Sequence, residues 1–328
     1  MRAATNTAYG PPEVVKVAEV AVPTPGAGEL LVRVDATTVN RTDCAYRASR
    51  PFFMRALTGL RRPRRTILGT EFAGEVVGTG GEVDRFAVGD RVFGYLEGRF
   101  GTHAEYAVVP QSGSVATVPP GVSMQEAAAS TEGFHYARSA IRRSGVRPGD
   151  QVLVNGATGG IGSAAVQQLA AMGVTVTAVC SAEHAELVRG LGAEHVVDYT
   201  TVDFTDSGQK FHVVIDAVGK STFGRCRRIL RPDGVYVSSE LGPGWQNLPL
   251  SLVGQLRRGH QRVVFPFPED SQAVVEEIAD HLANGSFRPV IDRRYPLEDI
   301  TSAYRYVETG QKVGNVVITV AATGPEGS

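Results

Sequence analysis

The stretch that decides the fold is Gln151-Val152-Leu153-Val154-Asn155-Gly156-Ala157-Thr158-Gly159-Gly160-Ile161-Gly162. A short apolar run meets a turn crowded with glycine, and Ser163 to Met172 follows with apolar residues at helical spacing. Strand, glycine turn and helix in that order set backbone N–H groups and a helix N-terminus against a pyrophosphate. The dinucleotide pattern asks for small residues at its first, third and sixth positions, here Ala157, Gly159 and Gly162. The first allows the tight turn, the second a close approach to pyrophosphate, and the third close packing of helix on strand. Ala157 departs from the strict glycine form, so the flanks must decide.

Those flanks alternate. Strand-like runs fall at Val174–Val179, His195–Asp198, His212–Asp216, Val235–Ser238 and Arg262–Phe265, with helix-like runs such as Ala182–Gly190 and Ser221–Leu230 between them. The alternation predicts a doubly wound parallel sheet, expected over residues 122–289. Upstream, Leu30–Val34, Glu75–Val77, Arg91–Phe93 and Glu105–Val109 are short β-like runs broken by Gly and Pro. They predict a β-rich, barrel-like domain over residues 1–121. Glu126–Ser144 reads as one helix, Leu297–Glu308 as another, and Asn315–Val320 as a last strand.

Composition narrows the class. The 328 residues suit about two domains, and 42% hydrophobic with 20% charged residues is ordinary for a globular protein. A net charge of −1 argues against a nucleic-acid binder. No apolar run approaches the roughly 20 residues of a membrane helix. Met1-Arg2-Ala3-Ala4-Thr5 has no signal-peptide core, and Cys44, Cys180 and Cys226 form no disulfide or metal pattern. The expectation is a reduced, cytoplasmic protein without membrane attachment, and Thr323–Ser328 reads as a loose tail.

The end of the second strand selects the dinucleotide. An NAD site usually carries Asp or Glu there, bonded to the ribose 2′-OH. Cys180 and Ser181 occupy that place, and Ser181 and His184 can donate to a 2′-phosphate. NADPH is therefore expected, with Glu183 the one nearby residue that could turn to the ribose instead. Ser181 also suits a helix N-cap, a compatible role.

Several motifs in order now carry a resemblance: Asn40-Arg41-Thr42-Asp43, Leu68-Gly69-Thr70-Glu71-Phe72-Ala73-Gly74, Arg147-Pro148-Gly149-Asp150, the Ala157–Gly162 turn, Leu191-Gly192-Ala193, Asp198-Tyr199, Asp216-Ala217-Val218-Gly219 and Gly314-Asn315-Val316-Val317. Together they resemble the medium-chain dehydrogenase/reductase superfamily in its zinc-free quinone-oxidoreductase branch. The resemblance implies an α/β fold: a GroES-like β-rich catalytic domain, over 1–121 and 290–328, plus a doubly wound Rossmann domain. It also implies a homodimer joined along Gln261–Phe265. Zinc-dependent relatives carry Cys at the position of Asn40 and His at that of Thr70. An amide and a hydroxyl are poor zinc ligands, so no metal is expected.

Residue roles follow from the same resemblance. Cofactor contacts are implied at Asn40, Ala157, Gly159, Gly160, Ile161 and Gly162. Further ones fall on Ser181, His184, Tyr199, Val218, Gly219, Ser238, Phe265 and Asn315. Tyr199 matches a Tyr that contacts the 2′-phosphate, whereas His184 replaces a Lys. NADPH binding is then expected to weaken as pH rises through the ordinary histidine range. Asn40, Tyr46 and Tyr136 are the catalytic candidates, with His135 beside the last. Each has an alternative: Asn40 satisfying a turn, Tyr46 packing as an aromatic, His135 and Tyr136 facing a helix contact. His103 reads as a strand residue and Cys44 as a packing residue.

Without a metal, a quinone or conjugated enone is the expected substrate, because the charge left by hydride attack is delocalised and one or two donors stabilise it. Between Arg47 and Arg65 lie seven arginines and no acidic residue, interleaved with Phe52-Phe53-Met54, Leu57 and Leu60. This segment could form an amphipathic helix, a solvated loop, or a lid for an anionic substrate or acidic carrier. An enoyl-thioester reductase and a non-catalytic NADPH-binding partner protein are the alternatives to a quinone or enone reductase.

Overall fold

The computed structural model describes residues 1–52, 55–96, 98–255, 259–267 and 271–320, so Phe53, Met54 and Thr323–Ser328 lie outside the described residues. The chain forms two compact units, the first from the described parts of Met1–Thr131, Asp270–Gly285 and Val290–Ser328, the second from those of Glu132–Glu269 and Ser286–Pro289.

The first unit begins with β1 (Arg2–Asn6), β2 (Val15–Glu19), β3 (Glu29–Val39), α1 (Arg41–Ala48), α2 (Arg55–Thr58), β4 (Glu71–Thr79), β5 (Arg91–Tyr95), β6 (Tyr106–Pro110), β7 (Ser114–Thr117) and α3 (Met124–Ala129). Strand β3 organises it. Its residues alternate between buried and half-buried, and it pairs antiparallel with both β4 and β6. The expected single helix over Glu126–Ser144 is two helices, α3 and α4 (Thr131–Ser144), separated at Ser130. Helix α3 starts in a capping box, with Ser123 Oγ accepting from Glu126 N at 3.2 Å and Ser123 N donating to the Glu126 carboxylate at 3.0 Å. It packs on β3 and β4, which is why it groups with the first unit.

The second unit continues with β8 (Gln151–Asn155), α5 (Gly160–Ala171), β9 (Thr175–Cys180), α6 (Ala185–Gly190), β10 (His195–Asp198), β11 (Phe211–Asp216), α7 (Phe223–Cys226), β12 (Leu230–Ser238), α8 (Asn247–Gln255) and β13 (Arg262–Val264). Six parallel strands run in the order β10-β9-β8-β11-β12-β13, the Rossmann arrangement expected from the alternation. The strand order reverses direction between β8 and β11, and such a switch point opens a crevice at the carboxyl ends of the strands. Leu153, Val179, Phe211, Val214, Tyr236 and Val263 form part of its core. The expected helix at Ser221–Leu230 is instead one short helix, α7, and a 3-10 turn at Arg227–Ile229, because Leu230 already begins β12.

The chain then returns with α9 (Gln272–Ala283), β14 (Ile291–Pro296), α10 (Ile300–Glu308) and β15 (Asn315–Thr319). Strand β15 joins β3 antiparallel and completes a seven-stranded sheet in the order β14-β15-β3-β4-β5-β7, with β6 also on β3. Leu297, Ile300, Tyr304, Val307, Val316 and Ile318 enter one core with Leu30, Val32, Val34 and Val76. Residues far apart in sequence thus close the GroES-like unit. No helix of the described residues is long and apolar enough to cross a membrane.

Candidate active site

The glycine turn sits at the end of β8. Here the structure corrects one assignment: the left-handed turn residue is Gly156, at φ 78°, and not Ala157. A Cβ on Gly156 would lie 2.3 Å from Val218 Cγ1. Ala157 is fully buried and its N–H donates to Val179 O at 3.1 Å, so it supports the turn from inside. Gly159 is the N-cap of α5, and a Cβ there would meet only Gly156 O at 3.6 Å. At Gly162 a Cβ would lie 2.1 Å from the same carbonyl. Gly162 therefore packs helix on turn, while the space beside Gly159 is left open. Gly160, Ile161 and Gly162 form the first turn of α5, whose N–H groups have no intrahelical acceptor. The residues present fit a dinucleotide. Helix α4 crosses close to this turn, since a Cβ on Gly133 would sit 2.6 Å from Gly160 O. His135 and Tyr136 ride on that helix with their rings 4.6 Å apart.

The row of strand ends beside the turn is tied together by Asp216, the first residue of the Asp216-Ala217-Val218-Gly219 motif. It is fully buried and accepts from Asn155 Nδ2 at 3.0 Å, Tyr236 Oη at 2.8 Å and Ser221 N at 3.0 Å. Register places Asn155, Asp216 and Ser238 side by side across β8, β11 and β12. Val218 and Gly219 leave the same edge, and Phe265 follows β13, its N–H donating to Ser251 Oγ at 3.1 Å. Asn315 belongs to the first unit, where its backbone N–H and its Nδ2 both donate to Val290 O, at 2.8 and 3.1 Å.

Ser181, His184 and Tyr199 cluster at the ends of β9 and β10. Tyr199 N donates to Cys180 O at 3.2 Å, and Tyr199 is 56% exposed. The strand end itself carries no carboxylate, as the sequence suggested, yet one reaches it. Glu183 Oε1 accepts from Ser181 Oγ at 3.2 Å and lies 3.6 Å from His184 Nε2. Ser181 occupies the N-cap of a 3-10 turn at Ala182–His184 but makes no side-chain cap bond.

The first unit holds a separate buried polar cluster. Asn40 caps α1: its Oδ1 accepts from Asp43 N at 2.9 Å, and its N–H donates to Asp43 Oδ2 at 3.1 Å. Asn40 Nδ2 donates to Thr70 Oγ1 at 3.1 Å. The two positions that hold Cys and His in zinc-dependent relatives are thus an amide and a hydroxyl bonded to each other. That pair does not fit zinc, and no metal-binding group of three His, Cys, Asp or Glu occurs among the described residues. Glu71 accepts from Thr38 Oγ1 and, at 2.7 Å, from Thr131 Oγ1. His103 is a buried bend residue just before β6, not a strand residue. Its Nε2 bonds the Thr38 carbonyl at 2.7 Å, so Nε2 carries the proton and Nδ1 accepts from Tyr304 Oη at 3.3 Å.

Burial drives two opposed shifts here. Desolvation pushes the Asp43 carboxyl up from 3.8 to about 7, against two backbone N–H bonds. Desolvation also pulls His103 down from 6.5 to about 4. A raised carboxyl contributes stability at low pH that is lost as pH rises towards 7. A depressed histidine does the reverse, costing stability as pH falls from 6.5 towards 4. Between those limits the two slopes cancel. Replacing Asp43 with Asn is expected to make the melting temperature, relative to the parent chain, rise with pH across that window. His103→Gln is expected to make it fall. Thermal denaturation at several pH values checks both, and parallel profiles for the two variants would count against the assignment.

Tyr46 is half-buried, with its ring centroid 4.5 Å from that of Phe100. Cys44 is buried, and its thiol is pushed up by desolvation. The arginine segment differs from an amphipathic helix. Helix α2 is a single turn, ended by Gly59 at φ 128°, and Phe52 and Leu60 stand 71% and 72% exposed. Arg47 is fully buried, paired with Glu308 and placed 5.2 Å over the Tyr304 ring, so it belongs to the core. Arg55 stacks on Tyr9 and Phe52. Arg61, Arg62, Arg64 and Arg65 remain exposed.

Comparison with known proteins gives the class. Residues 26–120 match the alcohol dehydrogenase GroES-like domain, and residues 191–318 match a zinc-binding dehydrogenase domain. The chain is 32% identical to a chloroplastic quinone-oxidoreductase homolog of Spinacia oleracea, over 97% of this chain and 98% of that one. It is 31% identical to a quinone oxidoreductase of Pseudomonas aeruginosa, over 95% and 97% of the two chains. A trans-enoyl reductase of Aspergillus terreus is 30% identical over 91% and 88%. The structure of the quinone oxidoreductase from Coxiella burnetii matches with a TM-score of 0.87 at 25% identity, covering 98% of this chain and 99% of that one. The fold and these relatives define a nicotinamide-dependent oxidoreductase. The chain belongs to the medium-chain dehydrogenase/reductase superfamily, in its zinc-free quinone-oxidoreductase-like branch.

Proposed function

We propose that the chain is a zinc-independent, NADPH-dependent reductase of quinones and α,β-unsaturated carbonyls. The observation that carries this reading is the Asn40–Thr70 hydrogen bond at 3.1 Å, which puts a hydroxyl and an amide where metal chemistry would need ligands. When bound, the reduced nicotinamide supplies a hydride. The N–H groups of Gly160, Ile161 and Gly162 hold the pyrophosphate, and Ser181, His184 and Tyr199 hold the 2′-phosphate. Ala157 shapes the turn from inside, while Val218, Gly219, Ser238 and Phe265 line the strand-end crevice.

Thr70 supplies the donor for the substrate. Its oxygen accepts from Asn40 Nδ2, which leaves its own O–H free to donate to the oxygen that gains charge. Asn40 is then a positioning residue for that hydroxyl. Tyr46 and Tyr136 are candidates for returning a proton to the enolate carbon. Thr70→Val is expected to lower kcat about tenfold to a hundredfold with the affinity for NADPH unchanged. Steady-state kinetics beside calorimetric titration separates the two, and an unchanged kcat would remove Thr70 from the mechanism. The function itself is tested by nicotinamide absorbance with quinones, enones and secondary alcohols after chelation. Turnover of the first two supports it, and zinc-restored alcohol oxidation contradicts it.

A second reading, reduction of enoyl thioesters on coenzyme A or an acyl carrier, is favoured by the four exposed arginines and by the trans-enoyl reductase relative. Replacing Arg61, Arg62, Arg64 and Arg65 together with Ala is expected to leave quinone reduction within about twofold. A large loss confined to thioesters would favour the second reading. We place the homodimer contact at β13, the edge strand of the parallel sheet, a site for strand pairing between two copies.

A further inference from the structure

We propose that Glu183 is the residue that sets how strongly this chain prefers NADPH, by competing with the 2′-phosphate for the same two donors. This deepens the NADPH reading and rests on it. Ser181 and His184 are two of the three residues offered to that phosphate, and in the structure both face a carboxylate. Glu183 Oε1 accepts the Ser181 hydroxyl at 3.2 Å and stands 3.6 Å from His184 Nε2. A carboxylate and a phosphate monoester are both acceptors, both negative, and cannot share these two donors without repulsion. A ribose 2′-OH carries no charge and can instead donate to Glu183.

Nothing locks Glu183 in place. Its side chain is 74% exposed, and its hydrogen bond is to the Ser181 hydroxyl. The neighbouring carboxylate, Asp198, is engaged differently: its Oδ1 accepts from Thr200 N at 2.9 Å and Thr200 Oγ1 at 2.7 Å, and the Ala182 backbone N–H also donates to the carboxylate. Glu183 is thus the exposed acid that meets both Ser181 and His184 at this end of the sheet. NADPH binds by displacing it from Ser181, and NADH binds with it in place.

The test is calorimetric titration of NADP⁺ and NAD⁺ into the parent chain, Glu183→Gln and Glu183→Ala. Both variants are expected to tighten NADP⁺ by about tenfold, the loss of one like-charge contact, and to leave NAD⁺ unchanged or weaker. An NADP⁺/NAD⁺ ratio that stays within about twofold of the parent in both variants overturns the role of Glu183. A parent chain that binds NAD⁺ but not NADP⁺ overturns the NADPH reading instead. In that case a gain of NADP⁺ binding by Glu183→Gln still upholds Glu183 as the determinant, so the two failures are distinguishable.

Discussion

Gly162→Val is expected to abolish measurable dinucleotide binding, a loss of about a hundredfold or more, and to lower the melting temperature of the chain. The reason is the distance of 2.1 Å from an added Cβ to Gly156 O, with Gly156 C at 2.8 Å and Ala157 Cα at 2.9 Å. All three are backbone atoms of the turn itself, so no side chain can swing aside. Helix α5 must back away, and the N–H groups of Gly160 and Ile161 move with it. Gly159→Ala is the control. Its Cβ would meet nothing closer than 3.6 Å, so the fold should be untouched while the methyl enters the space proposed for the pyrophosphate. Titration and thermal denaturation of both variants separate packing from ligand contact. Equal melting losses for the two would contradict the division of labour between these glycines.

Asp216→Ala is expected to cost about 3–5 kcal/mol of stability, the range for stranding buried partners of a removed charge. Asn155 Nδ2, Tyr236 Oη and Ser221 N would all lose their acceptor inside a fully buried site. For a chain of this size the melting temperature should fall by about five degrees. Dinucleotide binding should weaken as well, because Asn155 leads directly into the glycine turn. A melting temperature within about two degrees of the parent would show that Asp216 does not anchor the strand ends.

The parallel sheet was legible because its strands are apolar runs that end in turns. Gln151–Asn155 and His195–Asp198 were read to the residue. Boundaries failed where the backbone changes type without a change in composition. Nothing in the apolar spacing of 126–144 marks Ser130 as a break, and Leu230 serves both a helical pattern and a strand. The glycine pattern was legible, but the role of Gly156 was not, since only its backbone angle distinguishes it from its neighbours. Glu183 was visible as a nearby acid, but its bond to Ser181 depends on the path of a loop. Arg47 belongs with the arginine run by sequence and with the core by structure, because the α1 face it occupies is set by Tyr304 and Glu308, far along the chain.

The central claim is metal-free hydride transfer from the nicotinamide to a conjugated acceptor. It is tested most directly with NADPH deuterated at the nicotinamide C4, an enone, and protein freed of metal by chelation. The account predicts a product carrying deuterium on the β-carbon, with turnover unaffected by the chelator. Product formed only after zinc is restored, or no deuterium transferred from either face of the nicotinamide, would contradict it.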